Sequence, residues 1–222
     1  MKQSKQKPSI NRQVMKNLSI TLCILTTFTF SNIQISKAQS NKTTNKSPQG
    51  FIKIQEGKYQ EAIEIFSEQI DKGSKDAEVF FGRGKAWQEL GDNERAFTDY
   101  TKSIQLKPNN PKSYSNRGLI KGALGNFKAA IDDFDNAIKQ NKNFKDAYLN
   151  RSVAKGVIRD WRGAEQDLTS AISLDPNYTK AWRNRGIVLE AIGNKLGACN
   201  NWIKAARLGD EEAKIWFINQ CK

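Results

Sequence analysis

Residues 77–110, AEVFFGRGKAWQELGDNERAFTDYTKSIQLKPNN, are one copy of a segment that recurs at a fixed period of 34 residues along most of the chain. Large residues stand at the fourth and twenty-fourth positions of most copies, glycine at the fifteenth and alanine at the twentieth. In chain order these residues are Phe80, Tyr114, Tyr148 and Trp182; Phe66, Tyr100, Phe134, Leu168 and Trp202; Gly57, Gly91, Gly125 and Gly193; and Ala62, Ala96, Ala130, Ala164 and Ala198. The period therefore predicts a stack of similar units.

Each unit is predicted to be a pair of helices. Phe80, Gly84 and Trp87 recur at helical spacing and share one face. Gly91 ends this first helix because it tolerates positive φ, and Pro108 ends the second. Because a single hairpin cannot bury its apolar face, neighbouring units must stack against one another.

These positions resemble the tetratricopeptide repeat, over roughly residues 43–222. That family has a large residue at the fourth position, a small one at the eighth and glycine at the turn, then Ala, an aromatic, Ala and Pro across the second helix. The resemblance implies an all-α, right-handed α-solenoid of helix-turn-helix units with a C-terminal capping helix. The units are about 43–76, 77–110, 111–144, 145–178 and 179–212, and the cap is 211–221.

The unit at 145–178 departs from the pattern at two positions. Ser152 replaces the small glycine of the eighth position, and Arg159 replaces the turn glycine. Arg159 leaves the geometry of that turn open, although Asp160 is able to cap the helix that follows.

Residues 1–38 have the features of a secretory signal peptide. Positive charges precede the apolar run Leu18–Phe30, and Ser36 and Ala38 stand three and one residues before a predicted cleavage after Ala38. The apolar run is shorter than the ~20 residues that span a bilayer. We therefore expect export to a periplasm, a lumen or the extracellular space, with residues 39–48 as a linker to the solenoid at 49–222.

An uncleaved membrane anchor is the alternative interpretation of the same segment. Ile33 and Ile35 extend the apolar run toward the length of a membrane span. Contact with a membrane is expected only through this segment.

Composition argues against several function classes. The formal net charge is +13, of which six positive charges lie in residues 1–38, which contain no acidic residue; the rest of the chain carries +7. This modest excess is typical of a solvated surface, so we expect no nucleic-acid partner. The chain has no histidine, so it has no Ser-His or Cys-His pair and no imidazole metal ligand. We expect a protein that is not an enzyme and uses no cofactor or metal.

Arginine and aspartate recur at the seventh and twenty-third positions, each eight residues from the turn. The pairs are Arg83 with Asp99, Arg117 with Asp133, Arg151 with Asp167, and Arg185 with Asn201. An antiparallel hairpin brings the two positions alongside each other, which favours an internal ladder of salt bridges. The alternative is an arginine stripe that binds acidic partners, and Arg185, whose acid is lost, is the arginine expected to be free.

In the family that the repeats resemble, the first helices of the units line a concave groove. The resemblance places an asparagine ladder there, Asn116, Asn150 and Asn184, whose carboxamides are able to pair with the N–H and C=O groups of an extended peptide. Hydrogen bonding between units is the alternative role. The other expected groove residues are Phe81, Lys85, Lys112, Leu119, Leu149, Val153, Lys180, Arg183 and Ile187.

This apolar lining with a basic end favours an extended protein segment with apolar side chains and some negative charge. We therefore expect a scaffold or adaptor that binds a segment of another protein; the resemblance implies assembly of a membrane or envelope complex as one task. The alternative is a structural array that self-associates, with Trp161, Trp216 or the end units in the contact. A hydrolase or transferase has little support in the sequence.

Signal cleavage would remove Cys23 and leave Cys199 and Cys221 in a compartment where disulfides persist. Cys199 lies ten residues before the break at Gly209, and Cys221 lies twelve after it. An antiparallel hairpin would bring the two cysteines together, so we predict a disulfide bond between them; two buried thiols are the alternative.

Cleavage after Ala38 predicts a native protein whose first residue is Gln39. Intact-mass spectrometry of the protein purified from its source measures this directly. A chain that still begins at Met1 or Lys2 would contradict the prediction and favour the membrane anchor.

Overall fold

The structure, a computed structural model, describes residues 47–221, so the signal peptide, the cleavage after Ala38 and residues 39–46 lie outside the described residues. This part of the chain contains eleven helices and no strand. The helices are α1 (Ser47–Gln55), α2 (Tyr59–Asp71), α3 (Ala77–Glu89), α4 (Asn93–Leu106), α5 (Pro111–Ala123), α6 (Phe127–Gln140), α7 (Lys145–Val157), α8 (Trp161–Leu174), α9 (Thr179–Ala191), α10 (Lys195–Arg207) and α11 (Glu211–Gln220).

Consecutive helices pack against each other along the whole series, and first helices of adjacent units also touch in the pairs α1/α3, α5/α7 and α7/α9. The pairs α1/α2, α3/α4, α5/α6, α7/α8 and α9/α10 are the hairpins, and α11 packs on α10 as the cap. The predicted all-α, right-handed solenoid with a capping helix is therefore confirmed. Helix α1 begins at Ser47, inside the predicted linker 39–48, because proline is tolerated in the first turn of a helix and Pro48 does not prevent one there.

The turns inside the hairpins share one chemistry. The fifteenth position adopts positive φ, which glycine allows without a Cβ clash, as at Gly91 with φ 81°. Arg159 adopts the same left-handed conformation with φ 63°, so its turn keeps the geometry of the others. In every hairpin but the first, where Lys58 makes no side-chain cap, the next residue caps the second helix through its side-chain oxygen, as Asp92 does for Arg95 N–H and Asp160 for Gly163 N–H. Each hairpin thus closes at the same point of the repeat.

Helices of one hairpin approach most closely where the eighth position faces the twenty-fourth. A Cβ added at Gly84 would lie 3.1 Å from the Tyr100 ring, and one at Gly186 would lie 2.3 Å from the Trp202 indole. The large residues at the twenty-fourth position are almost completely buried, and burial of each such side chain contributes about 1.5–3 kcal/mol. Ser152 is accommodated because the facing residue in its unit is the smaller Leu168.

The predicted ladder of arginine and aspartate is internal. The Nε atoms of Arg83 and Arg117 donate to the carboxylates of Asp99 and Asp133 at 2.8 and 2.9 Å, and a second bond to each carboxylate comes from Nη2. Arg151 binds Asp167 in the same way. The three aspartate side chains are only 3–5% exposed. These three arginines therefore join the two helices of their hairpins and do not form a stripe for partners.

Arg185 has no carboxylate within salt-bridge distance among the described residues, but it is not free. Its Nε donates to Asn201 Oδ1 at 2.8 Å, and its Nη1 donates to Thr169 Oγ1 at 3.4 Å. Burial lowers the pKa of Arg185, whereas at Arg151 the opposing effect of burial is outweighed by hydrogen bonds to two aspartates, which raise its pKa. The expectation that Arg185 is free is wrong, because a carboxamide has replaced the carboxylate in the same place.

Replacing Asn201 with aspartate supplies the missing charge to Arg185. We expect Asn201→Asp to raise the free energy of unfolding by about 1 kcal/mol, since a hydrogen bond between charged groups is stronger than one to an amide. Asp167→Asn is the matched control and is expected to lower it by about 3 kcal/mol, because it leaves Arg151 with a weaker partner. Thermal melts at low salt measure both; an Asn201→Asp variant that melts below the parent would contradict the ladder.

The cap is joined to the last repeat by a disulfide bond between Cys199 on α10 and Cys221 at the end of α11. Packing adds to the bond, since Trp216 of the cap lies edge-on to the buried Trp202 at 5.8 Å between ring centroids. Arg183 of α9 forms ion pairs with Asp210 and Glu212 at the start of the cap. Helix α11 is therefore held by covalent, aromatic and charged contacts.

Loss of the disulfide is expected to loosen the cap before the rest of the solenoid. The two cysteines are 22 residues apart in sequence, and a disulfide that closes a loop of this size contributes about 3 kcal/mol to the free energy of unfolding. Reduction or Cys221→Ser should therefore lower the free energy of unfolding by about that amount. Amide hydrogen exchange should increase first in α11. Thiol counting on unfolded, unreduced protein from its native compartment is the further check: two free thiols in the mature chain would contradict the bond.

Candidate functional site

In the asparagine ladder, one side chain is hydrogen-bonded to another described residue and two are not. Asn116 donates from Nδ2 to the Tyr100 hydroxyl at 3.2 Å, and that hydroxyl donates to Gln88 Oε1 at 2.6 Å. Asn150 and Asn184 occupy the same position one and two units later, where the preceding large residue is Phe134 or Leu168 and carries no hydroxyl. Asn116 thus forms a hydrogen bond to the preceding unit, which is the alternative role that the sequence left open for the ladder.

Neither Asn150 nor Asn184 forms a hydrogen bond with another residue of the described range 47–221, and both are half-buried. A carboxamide offers two N–H donors and an acceptor oxygen, and partly buried polar groups in proteins are normally paired. These two side chains are therefore available to the backbone of a bound segment.

A row of exposed apolar side chains runs beside the asparagines at the ninth position. Leu119, Val153 and Ile187 are 37%, 50% and 40% exposed, one on each of α5, α7 and α9. In the unit at 77–110 the same position holds Lys85, which is half-buried and forms no ion pair within residues 47–221. The row is thus apolar over three units and basic at one end.

Two clefts lie along this row. The smaller, of about 290 Å³, is formed by α5 and α7 over the second helix α6. The larger, of about 740 Å³, is formed by α7 and α9 over α8. The residues Gly118, Leu119, Gly122, Phe127, Phe134, Asn150 and Val153 of the smaller cleft correspond, one period later, to Ser152, Val153, Gly156, Trp161, Leu168, Asn184 and Ile187 of the larger. The same site is therefore built twice, and Val153 belongs to both copies.

Glycine at the twelfth position opens each cleft. A Cβ added at Gly122 would meet nothing closer than Ala130 Cβ at 4.0 Å, and one at Gly156 would lie 3.5 Å from Trp161. There is thus room for a side chain at both positions, and close packing against another helix is not the reason for glycine there. The unit at 77–110 has Gln88 at this position, and its side chain occupies the corresponding space by accepting from the Tyr100 hydroxyl.

The remaining predicted groove residues are placed differently from one another. Phe81 and Leu149 are buried core residues; Phe81 packs between Phe51 and Tyr100, so its predicted exposure in the groove is wrong. Leu149 packs in the core around α8 for the same reason, since a large apolar side chain at the fifth position faces its neighbouring unit.

Of the predicted basic residues, Arg183 is occupied by its ion pairs with the cap. Lys112 and Lys180 are exposed at the start of α5 and α9 and form no ion pair with a described residue. They remain available as the basic part of the groove.

Sequence reasoning missed several residues of the larger cleft, among them Gly156, Arg159 and Trp161. A signal for Gly156 was present, because glycine inside a helix is unfavourable by roughly 1 kcal/mol relative to alanine and is retained where packing or binding needs it. Among residues 47–221, no group of Cys, Asp or Glu is arranged to hold a metal ion. No helix of this range is both long enough and apolar enough for a membrane crossing.

Family models match the middle of the chain. The tetratricopeptide repeat model matches residues 111–144, and a TPR repeat model matches residues 88–125. No curated protein sequence was found to match the chain.

Several solved structures are similar to it. A crystal structure of MamA is 22% identical with a TM-score of 0.67, covering 74% of this chain and 96% of that one. MamA from Desulfovibrio magneticus RS-1 is 20% identical with a TM-score of 0.68, covering 75% and 94%. YrrB, described as a TPR protein with an unusual peptide-binding site, is 16% identical with a TM-score of 0.66, covering 80% and 93%. At these identities the similarity shows the fold alone: the described part of the chain is an α-solenoid, of which residues 88–144 match tetratricopeptide-repeat models.

Proposed function

We propose that the protein is an exported, non-enzymatic scaffold that binds an extended segment of another protein along α5, α7 and α9. The observation that carries this proposal is the pair of clefts one repeat apart, each apolar and each with an unpaired asparagine. A repeated site of this kind suits a ligand that itself has a regular spacing, and an extended polypeptide has one.

The spacing of the clefts sets the spacing of the ligand's side chains. Helices α5 and α7, and α7 and α9, touch directly, and packed helices lie about 8–10 Å apart. A polyproline-type extended chain rises about 3.1 Å per residue and returns to the same face every three residues. The ligand therefore presents two apolar side chains three residues apart, the larger of them in the larger cleft.

Polar and charged groups fix the backbone and its approach. Asn150 and Asn184 bind main-chain N–H and C=O groups between the two apolar side chains. The exposed Lys112 and Lys180, together with Lys85, attract a segment of negative charge, which raises the association rate more than the final affinity. The similarity to YrrB, a TPR protein with a peptide-binding site, supports binding of a peptide.

Two parts of the proposal rest mainly on the sequence: export, and a role in assembling a membrane or envelope complex. The signal-like segment at 1–38 and the Cys199–Cys221 bond support action outside the cytoplasm, in the assembly of a membrane or envelope complex.

Filling the larger cleft from Gly156 is expected to abolish binding without unfolding the protein. The probe is an acetylated, fluorescein-labelled octapeptide with leucine and tryptophan three residues apart. Gly156→Leu should weaken its binding by roughly 10- to 100-fold, since burial of one large side chain is worth about 1.5–3 kcal/mol. Fluorescence anisotropy measures the affinity, and a thermal melt should show equal or higher stability because leucine favours helix more than glycine does.

Gly156→Ala is the matched control, because it makes the same change in helix propensity and adds only one methyl group. It should keep the affinity within about fourfold, since a methyl group is worth at most ~0.8 kcal/mol. In the same assay Asn150→Ala and Asn184→Ala should weaken binding at unchanged melting temperature, whereas Asn116→Ala should lose about 1 kcal/mol of stability. A Gly156→Leu variant that binds the peptide as the parent does would contradict the site.

Self-association is the alternative function, and one feature of the cap favours it. Ile215 and Ile218 on α11 are 55% and 46% exposed at the end of the array. Trp161 and Trp216, the other expected contacts, are only half-exposed and pack within their own chain. Sedimentation equilibrium separates the two functions: a concentration-dependent dimer that Ile215→Lys disrupts, with no peptide binding, would favour the array.

A further inference from the structure

Arg159 is held in a conformation that its side chain disfavours. Its φ of 63° lies in the left-handed region, where the equivalent turns have Gly57, Gly91, Gly125 and Gly193. A residue with a Cβ is strained there, and strain of this kind clusters at functional sites. The turn itself does not need arginine, since glycine makes the same turn four times in this chain.

The Arg159 side chain is exposed and has no hydrogen bond or ion pair with any described residue. It nevertheless lines the larger cleft, beside Val157 and Trp161, and is the one charged residue among the described residues that do so. The two cations nearest to it in sequence on α7 already have acidic partners, because Arg151 and Lys155 share Asp167 and Arg151 also pairs with Asp135. Arg159 is thus the cation left for a ligand at this cleft.

The smaller cleft has no such cation in its lining. The position equivalent to Arg159 is Gly125, and that equivalent to Trp161 is Phe127. The two clefts therefore share their apolar shape and asparagine but differ in charge, so they distinguish the two ends of a bound segment.

We propose that the larger cleft recognises a bulky apolar side chain directly followed or preceded by an aspartate or glutamate, with Arg159 as the charge partner of that acidic residue. The proposal rests on the proposed function, since the occupant is the same extended protein segment. The apolar side chain packs against Trp161 and Leu168, and the acidic side chain reaches the guanidinium at the rim. An exposed pair of this kind adds selectivity that is lost at high salt.

The test uses the mature chain and blocked dipeptides, each too short to occupy both clefts at once. The probes are N-acetyl-tryptophyl-aspartyl amide, its reversed form N-acetyl-aspartyl-tryptophan amide, and the corresponding asparagine compounds. Titration followed by NMR chemical shifts should show the better acidic probe binding about two- to fivefold more tightly than its asparagine counterpart. In Arg159→Gly this preference should vanish while the asparagine probes bind as before, and the melting temperature should rise because glycine relieves the strained turn.

Arg159→Lys, which keeps the charge, should retain most of the preference. Arg162→Gln, which removes a cation that does not line the cleft, should retain all of it. An acidic preference that persists in Arg159→Gly, or equal binding of the acidic and asparagine probes by the parent, would overturn the inference.

N-acetyl-tryptophan with a free carboxylate is a further probe; tighter binding of it than of the acidic dipeptides would assign the charge to a chain terminus and overturn the side-chain source. If no dipeptide binds but the octapeptide still binds and Gly156→Leu still blocks it, this inference fails alone. If the octapeptide fails as well, the proposed function fails with it.

Discussion

The solenoid depends on one close approach, repeated in every hairpin, between a residue with little or no side chain and a large side chain sixteen residues later. Gly118 lies so close to Phe134 that a Cβ there would stand 2.8 Å from the ring, and Gly50 stands in the same relation to Phe66. Helices that approach this closely exclude water from the ring, and they also bring the arginine at the seventh position within reach of the aspartate at the twenty-third. The salt-bridge ladder is therefore a consequence of the approach, and it adds orientation more than stability.

The same large side chain also decides the shape of the groove, because its far end reaches the next unit. Tyr100 extends its hydroxyl to Asn116 and Gln88 and fills the space between α3 and α5. Phe134 lacks the hydroxyl and leaves the smaller cleft, and Leu168 leaves the larger one. Folding and the shape of the groove are thus coupled through a single repeat position, since the residue that fills the hairpin also sets how much of the groove stays open.

The sequence predicted the periodic features well, and the irregular ones poorly. The helix pairs, the cap and the internal ladder follow from the period and the residue types, because these set the local helix propensity and the positions that an antiparallel hairpin brings together. The burial of Phe81 depends on its contact with Phe51 from the divergent first unit. The ion pairs of Arg183 depend on Asp210 and Glu212 from the cap. Contacts of this kind join positions that are not one period apart, so the repeat pattern alone contains no information about them.

Departures from the repeat pattern converge on one place. The unit at 145–178 has Ser152 where the others have glycine, Leu168 where they have an aromatic ring, and Arg159 at a turn that otherwise uses glycine. The first two departures compensate each other in volume, and together they leave the cleft of about 740 Å³; the third places an unpaired cation at its rim. Each is unfavourable or neutral for the hairpin itself, since a smaller core side chain buries less apolar area and a left-handed arginine is strained. Sequences that fold efficiently agree with their local rules except where function requires otherwise. Three exceptions around a single cavity therefore support the placement of the proposed binding site at this cleft.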